Sequence, residues 1–173
     1  SLAAYGKLKQ AANLTKDTQT WLDMLTLAVS IKDDDFIQNY DKFMKLAKNS
    51  DREQGMLLLV RWYFLNDDFI TPVSILEDLL NSNFETIKAK AQYYKGVRLY
   101  KLGRASEAIP ELLRVRYLYP RIEDVRLDAE ILAVQAYLEQ GEKTNALKIF
   151  DGIRNDLSPQ QRKELSRSLG LED

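Results

Sequence analysis

Residues 89–120 read AKAQYYKGVRLYKLGRASEAIPELLRVRYLYP, and their order decides the fold. Apolar and aromatic side chains recur at three- and four-residue intervals on both sides of Gly103, the period of two amphipathic helices joined by a tight turn. Gly96 sits inside the first helical pattern and Ala108 faces back from the second, so these two small residues mark where adjacent helices approach. With Ser106 as the cap, Pro110 falls near the fourth helical position, where a proline costs one backbone bond and a modest bend. Pro120 closes the unit. Within the first helix Tyr93, Val97 and Tyr100 share one face, with Lys101 on its edge.

Working outward, the same arrangement recurs. Leu2 to Leu14 reads as a leading helix with Leu2, Tyr5, Leu8 and Ala12 on one stripe. Asp17 then caps a helix whose apolar residues, from Trp21 to Ile31, cover more than half its circumference, as in a helix packed on two sides. Lys32 to Asp35 breaks it, and Phe36, Ile37, Tyr40, Phe43, Met44 and Ala47 carry an amphipathic return helix as far as Asn49-Ser50. Gly55 to Leu65 is apolar for most of its length, Asn66 to Phe69 punctuates, and Thr71-Pro72 starts a late return helix through Ile75, Leu76, Leu79 and Leu80. Asp34-Asp35-Phe36 and Asp67-Asp68-Phe69 read as one turn repeated 33 residues apart. Downstream, Asp124 to Leu157 forms a hairpin turning at Gly141, with Tyr137, Ala146, Phe150 and Ile153 at its packing positions. Ser158 caps a final polar helix, Pro159 at its first position, held by Leu165 and Leu169.

These marks predict an all-α chain of about ten helices with no strand. It is expected to be a single domain over 1–173: a leading helix at 1–16, hairpins at 17–50, 51–84, 86–120 and 122–157, and a capping helix at 158–171.

The pattern resembles the tetratricopeptide repeat, a helical hairpin of roughly 34 residues that stacks into solenoids. The family's small residue at repeat position 8 corresponds to Gly96, its turn glycine to Gly103, its position-20 alanine to Ala108 and its closing proline to Pro120. The resemblance covers nearly all the chain and is closest in the third and fourth hairpins; the second has Pro72, and the first Asn39, where the family has alanine. It implies a right-handed α-solenoid in which the first helix of each hairpin lines a concave groove. Carried over by repeat position, that lining runs Trp21, Met24, Ala28, Ile31 and Lys32; Gln54, Leu57, Arg61, Phe64 and Leu65; Lys90, Tyr93, Val97, Tyr100 and Lys101; then Asp128, Ile131, Gln135, Leu138 and Glu139. Among these, Trp21, Arg61, Phe64, Tyr93, Val97, Tyr100, Lys101, Ile131 and Gln135 are the expected partner-binding residues, with Arg61 beside the tyrosine face; Met24, Leu57 and Phe64 can equally serve a core. The ending Val115-Arg116-Tyr117-Leu118-Tyr119-Pro120 is similar to that of bacterial envelope repeat proteins, including outer-membrane-assembly lipoproteins and cell-division coordinators. That similarity favours a periplasmic or cell-envelope location over the cytoplasm. The carboxylate clamp of the chaperone-binding subgroup is not expected, because its asparagine positions hold apolar residues or Gln135.

Composition narrows the function classes. Charged residues are 29% and apolar ones 45% of the chain, as in an ordinary folded protein and unlike a disordered one. The chain contains no cysteine and no histidine, which removes thiol nucleophiles, imidazole bases, disulfides and the zinc sites built from these ligands. The net charge of -1 divides into a mildly acidic part through Ile87, with 9 basic and 13 acidic residues, and a mildly basic remainder, with 16 and 13. Neither part attracts nucleic acid or an anionic membrane strongly. Arg114, Arg116 and Arg121 make only a small basic cluster, diluted by Glu111, Glu123 and Asp124. Asp33 to Asp35 lacks the alternating ligands, glycine and distal glutamate of a calcium loop and reads as a solvated turn. The longest apolar run, Met56 to Val60, is far too short to span a bilayer. No signal peptide is visible, and a start at Ser1 rather than methionine is the pattern expected of a trimmed chain.

The expected function is therefore non-enzymatic: a scaffold that binds a peptide or helical segment of another protein in its groove, without cofactor, metal or nucleic acid. The alternative is a structural subunit stacking through its ends or convex face, with the uncapped leading helix as a route to homo-oligomers.

Overall fold

Among residues 16–171, which the computed structural model describes (side chains from residue 23 on), every regular element is a helix. The expected leading helix Leu2 to Leu14 and the side chain of Trp21 lie outside the described residues. Nine α-helices and one short 3₁₀ turn remain, in two compact units that divide between Asp68 and Phe69.

The first unit holds α1 (Lys16–Val29), continued by a 3₁₀ turn (Ser30–Lys32), then α2 (Phe36–Leu46) and α3 (Asn49–Leu65). The chain is already helical at Lys16, so Asp17 lies inside α1 rather than at its cap. Each of the three helices packs on the other two. Leu27, Ile31, Phe36, Phe43, Leu57 and Val60 fill the space between them. Phe36 stacks on Trp62 with ring centroids 5.7 Å apart and planes within 10°. Gly55 is the close contact of α2 with α3, since a Cβ there would stand 2.6 Å from Phe43 Cε1. The start of α3 departs from expectation. Asn49 and Ser50, expected to end the preceding hairpin, already belong to α3, two residues ahead of the hairpin expected from 51, although its apolar stripe begins only at Gly55.

The second unit comprises α4 (Val73–Leu80), α5 (Glu85–Lys101), α6 (Ala105–Leu118), α7 (Glu123–Glu139), α8 (Lys143–Ile153) and α9 (Pro159–Ser168). From α4 to α8 each helix packs on the next, and α5 also packs on α7. The α5–α6 contact is antiparallel: Gln92 reaches Glu111 and Gly96 reaches Leu112. A Cβ on Gly96 would lie 2.5 Å from Leu112 Cδ2 and 3.3 Å from its backbone nitrogen, so the two backbones approach to a distance only hydrogen allows. Ala108 is fully buried in the same core. That core is continuous from Ala89 through Leu112, Val115, Ala133, Ile149 and Ile153 to Leu165 and Leu169.

The turns obey one rule with one exception. At Gly103 and Gly141 φ is +71° and +74°, and the next N–H donates back to a carbonyl five residues earlier: Arg104 to Leu99 at 3.0 Å, Glu142 to Tyr137 at 2.9 Å. This is the left-handed helix terminus that glycine favours. Asp67 adopts it too, at φ 56°, with Asp68 N–H donating to Tyr63 O at 2.9 Å. The Asp34 turn is built differently. A 3₁₀ turn precedes it, no residue there has positive φ, and α2 starts at once at Phe36, which is fully buried. After Asp67, by contrast, the chain runs non-helical to Val73 behind Pro72. The two Asp-Asp-Phe sequences are therefore not one repeated turn.

Pro110 sits deeper in α6 than Ser106 as a cap would place it, because the helix begins at Ala105 with Arg104 at the cap position. Its missing N–H removes one backbone bond on the exposed side of α6. The terminal helix is as expected: Ser158 Oγ accepts from Gln161 N–H at 3.3 Å, and Gln161 Oε1 accepts from Ser158 N–H at 3.0 Å. Leu165 and Leu169 close the end of the core.

Candidate functional site

The site is built on α5 and α7, two helices that lie side by side and run parallel. Their direction follows from two contacts: Tyr93 of α5 lies by Asp128 of α7, and one helical stretch later the Tyr100 hydroxyl donates to Glu139 Oε1. Tyr93, Val97 and Tyr100 are half-buried, as are Ile131 and Leu138 opposite, while Lys101 and Gln135 are exposed. The rings of Tyr93 and Tyr100 pack with Ile131 and Leu138 against the unit's core and leave their edges at the surface. Tyr94 tilts against Tyr93 with centroids 5.5 Å apart.

Behind this face a polar network fixes α5 in register. Gln92, buried, donates through Nε2 to the Glu111 carbonyl at 2.9 Å and to Glu111 Oε2 at 2.7 Å. Lys95 and Arg114 reach the same carboxylate at 3.2 and 2.8 Å. Burial works to raise the Glu111 carboxyl, but the bonds from Gln92, Lys95 and Arg114 together hold it below the ordinary carboxylate range. Arg98 Nε donates to the Phe69 carbonyl at 2.6 Å and ties α5 to the segment before α4. The tyrosine face thus stands on a helix pinned from two sides.

The chemistry of the face is that of neutral phenols beside carboxylates. Burial pushes the Tyr93 hydroxyl up to about 12, with the Asp128 and Tyr94 charges adding to it. Tyr100 is also pushed up to about 12, by burial first and then by its bond to Glu139. Asp128 is itself raised, by burial and by the neighbouring Asp124. Both hydroxyls therefore stay protonated across physiological pH and act as donors.

The expected partner-binding residues divide between the units. The second unit brings Tyr93, Val97, Tyr100, Lys101, Ile131 and Gln135 onto the α5–α7 face. Arg61 and Phe64 belong to α3 in the first unit, Arg61 exposed and Phe64 half-buried. Of the other groove positions, Ile31 and Leu57 are buried and serve the first unit's core. The first unit also has an open cavity of about 420 Å³ between the end of its 3₁₀ turn and the end of α3, lined by Ile31, Lys32, Asp33, Asp34, Trp62, Leu65 and Asn66.

Two arginines of the cluster, Arg114 and Arg116, are spent on internal pairs. Arg114 meets Glu111, while Arg116 Nη1 stands 2.9 Å from Glu130 Oε1. Glu130 is 1% exposed and is also paired with Arg126 at 2.8 Å, which in turn reaches Asp156 at 3.4 Å. The Arg116 contact is close but poorly aligned, so Oε1 accepts no well-formed hydrogen bond. Sequence reasoning passed over Glu130; its one signal is its place on the stripe of Ala129, Ala133 and Val134, where a charge needs a partner. No helix among the described residues is long and apolar enough to cross a membrane.

Comparison with family models, with curated proteins and with solved structures gave no match.

Proposed function

We propose that the chain is a non-enzymatic interaction module of tetratricopeptide-repeat type, a right-handed solenoid of helical hairpins that takes a peptide or helical segment of another protein on its α5–α7 face. The observation that carries this reading is the row of half-buried Tyr93, Val97 and Tyr100 on α5 beside Ile131 on α7, with exposed polar ends around it. Tyrosines so placed give stacking area at low entropic cost and hydroxyl donors at the rim. The helix order supports the repeat reading: consecutive helices pack in sequence, and the first helices of neighbouring hairpins, α5 and α7, touch directly. The close contact at Gly96, the buried Ala108 and the positive φ at Gly103 and Gly141 support the same reading.

The test is partner capture by the double variant Tyr93→Ala/Tyr100→Ala and by Val97→Glu. Interface anchors contribute about 2 kcal/mol or more each, so the double variant should weaken capture about a thousandfold while the chain stays helical. A folded double variant that captures the partner as well as wild type would refute the reading.

A further inference from the structure

The α5–α7 face carries its charges in two separate lines. On α5 the exposed cations are Lys90 and Lys101; on α7 the exposed anions are Glu123 and Asp124 in the first turn, then Asp128 and Glu139, and the last two lie beside the tyrosine row. Neither lysine, nor Asp128, has an ion-pair partner among the described residues, and Glu139 takes only the Tyr100 hydroxyl. The lines are level with each other. Lys90 stands one helical turn before Tyr93, which lies by Asp128, and Lys101 follows Tyr100, which bonds Glu139.

A face with a basic line and a parallel acidic line complements a copy of itself under one particular two-fold rotation. If the axis lies in the interface along the helix direction, α5 of one copy covers α7 of the other and the ends stay level. Lys90 then meets Asp128, Lys101 meets Glu139, and both pairs occur twice. If the axis lies across the helices instead, α5 covers α5 and α7 covers α7, and like charges meet. The near-neutral net charge of -1 adds no long-range repulsion between copies. On this basis we infer that the partner segment competes with a second copy of the chain, which occupies the α5–α7 face as a parallel two-fold dimer. The inference rests on the reading of that face as an interaction surface.

The size of the face sets the strength. Two 17-residue helices lying side by side present about 25 by 20 Å, or about 500 Å² per copy, from helix rise and packing distance. About 1,000 Å² in total is the lower end of specific interfaces, so the dimer is weak and concentration-dependent. Its half-buried tyrosines exclude water from the centre while the lysine–carboxylate pairs set the orientation.

Sedimentation equilibrium on the full chain tests this with a charge-swap pair: Lys90→Glu/Lys101→Glu and Asp128→Lys/Glu139→Lys. Wild type should show a monomer–dimer equilibrium in the range of about 10–500 μM. Each double variant alone should associate on the order of 10- to 100-fold more weakly, since four exposed pairs become repulsive. An equimolar mixture should recover the dimer as a heterodimer, which also shows that both variants are folded. A wild-type chain that stays monomeric throughout overturns the inference and leaves peptide capture untouched. A dimer that survives in both double variants overturns it too, by placing self-association on another surface. If the dimer behaves as described but Tyr93→Ala/Tyr100→Ala captures its partner normally, the peptide-binding reading falls while the dimer stands.

Discussion

Replacing Gly96 with alanine asks α5 and α6 to make room for one methyl group in the tightest part of the second unit. The new Cβ would stand 2.5 and 2.6 Å from Cδ2 and Cγ of Leu112 and 3.3 Å from its backbone nitrogen. Ordinary carbon contacts lie at about 3.5–4.0 Å, so something must move by about 1 Å. Leu112 is fully buried and cannot swing into solvent, and its backbone lies directly behind. The helices have to separate, or Leu112 has to leave its rotamer, at a cost of about 1–3 kcal/mol. Against this, alanine is favoured over glycine in a helix interior by about 1 kcal/mol. The net expectation is a loss of about 1–2 kcal/mol, which lowers the thermal midpoint by about 2–8 °C in a chain of this size. Gly152 in α8 is the matched control. It is exposed, and the nearest atom to its added Cβ is Arg116 Nη1 at 3.8 Å. Gly152→Ala should show the propensity gain alone, raising the midpoint by about 1–4 °C. Thermal melts followed by circular dichroism compare the two directly. If Gly96→Ala melts at or above wild type, the close approach of α5 and α6 is not a constraint and the reasoning fails.

Glu130→Gln should destabilise the chain by about 2–3 kcal/mol in urea denaturation, less than the usual cost of orphaning a buried ion pair because Arg116 and Arg126 can turn partly to water; a change under 0.5 kcal/mol would mean the pair is dispensable. Asp67→Gly should stabilise by about 0.5–1 kcal/mol, since Asp67 holds a left-handed φ of 56° in the turn that glycine occupies at 103 and 141; equal or lower stability counts against strain there. In an ultraviolet alkaline titration Tyr93 and Tyr100 should ionise near pH 12, identified by loss of the late signal in Tyr93→Phe and Tyr100→Phe. Because the folded chain keeps these protons after the unfolded chain has lost them at about 10, their contribution to stability is full below pH 10 and falls between pH 10 and 12. Stability that is flat across that interval would show that the two phenols are not buried as described.

The hairpins from Glu85 to Ile153 were legible because each carries its own punctuation: a turn glycine, a small residue at the closest contact and apolar residues at helical spacing. The first unit was harder to read for the opposite reason. Asn49-Ser50 has the composition of a break between hairpins, yet both residues open α3. The two Asp-Asp-Phe sequences are identical, yet one opens directly into a helix and the other reverses through a left-handed residue. What separates them is the chain that follows, Phe36 into the core in one case and Thr71-Pro72 in the other. On the α5–α7 face Tyr93, Val97 and Tyr100 could be placed on one side of a helix from spacing alone. The bond from Tyr100 to Glu139 could not, because it joins residues 39 apart and depends on how two hairpins stack. Glu130 was missed because a charge on an inner stripe gains its meaning only from arginines on other turns and helices.

The way α9 closes the second unit bears on the order in which the protein is made. The core that begins at Ala89 includes Leu165 and Leu169, so its last apolar places are filled from the far end of the unit. During synthesis α5 to α8 leave the ribosome first and can pair, but the end of their core stays open to water until α9 has followed. The unit therefore matures late. A nascent chain halted before Leu165 should bind hydrophobic-surface chaperones and be cut readily by protease, whereas one released past Leu169 should resist, with the change falling within about three helical turns of translated chain.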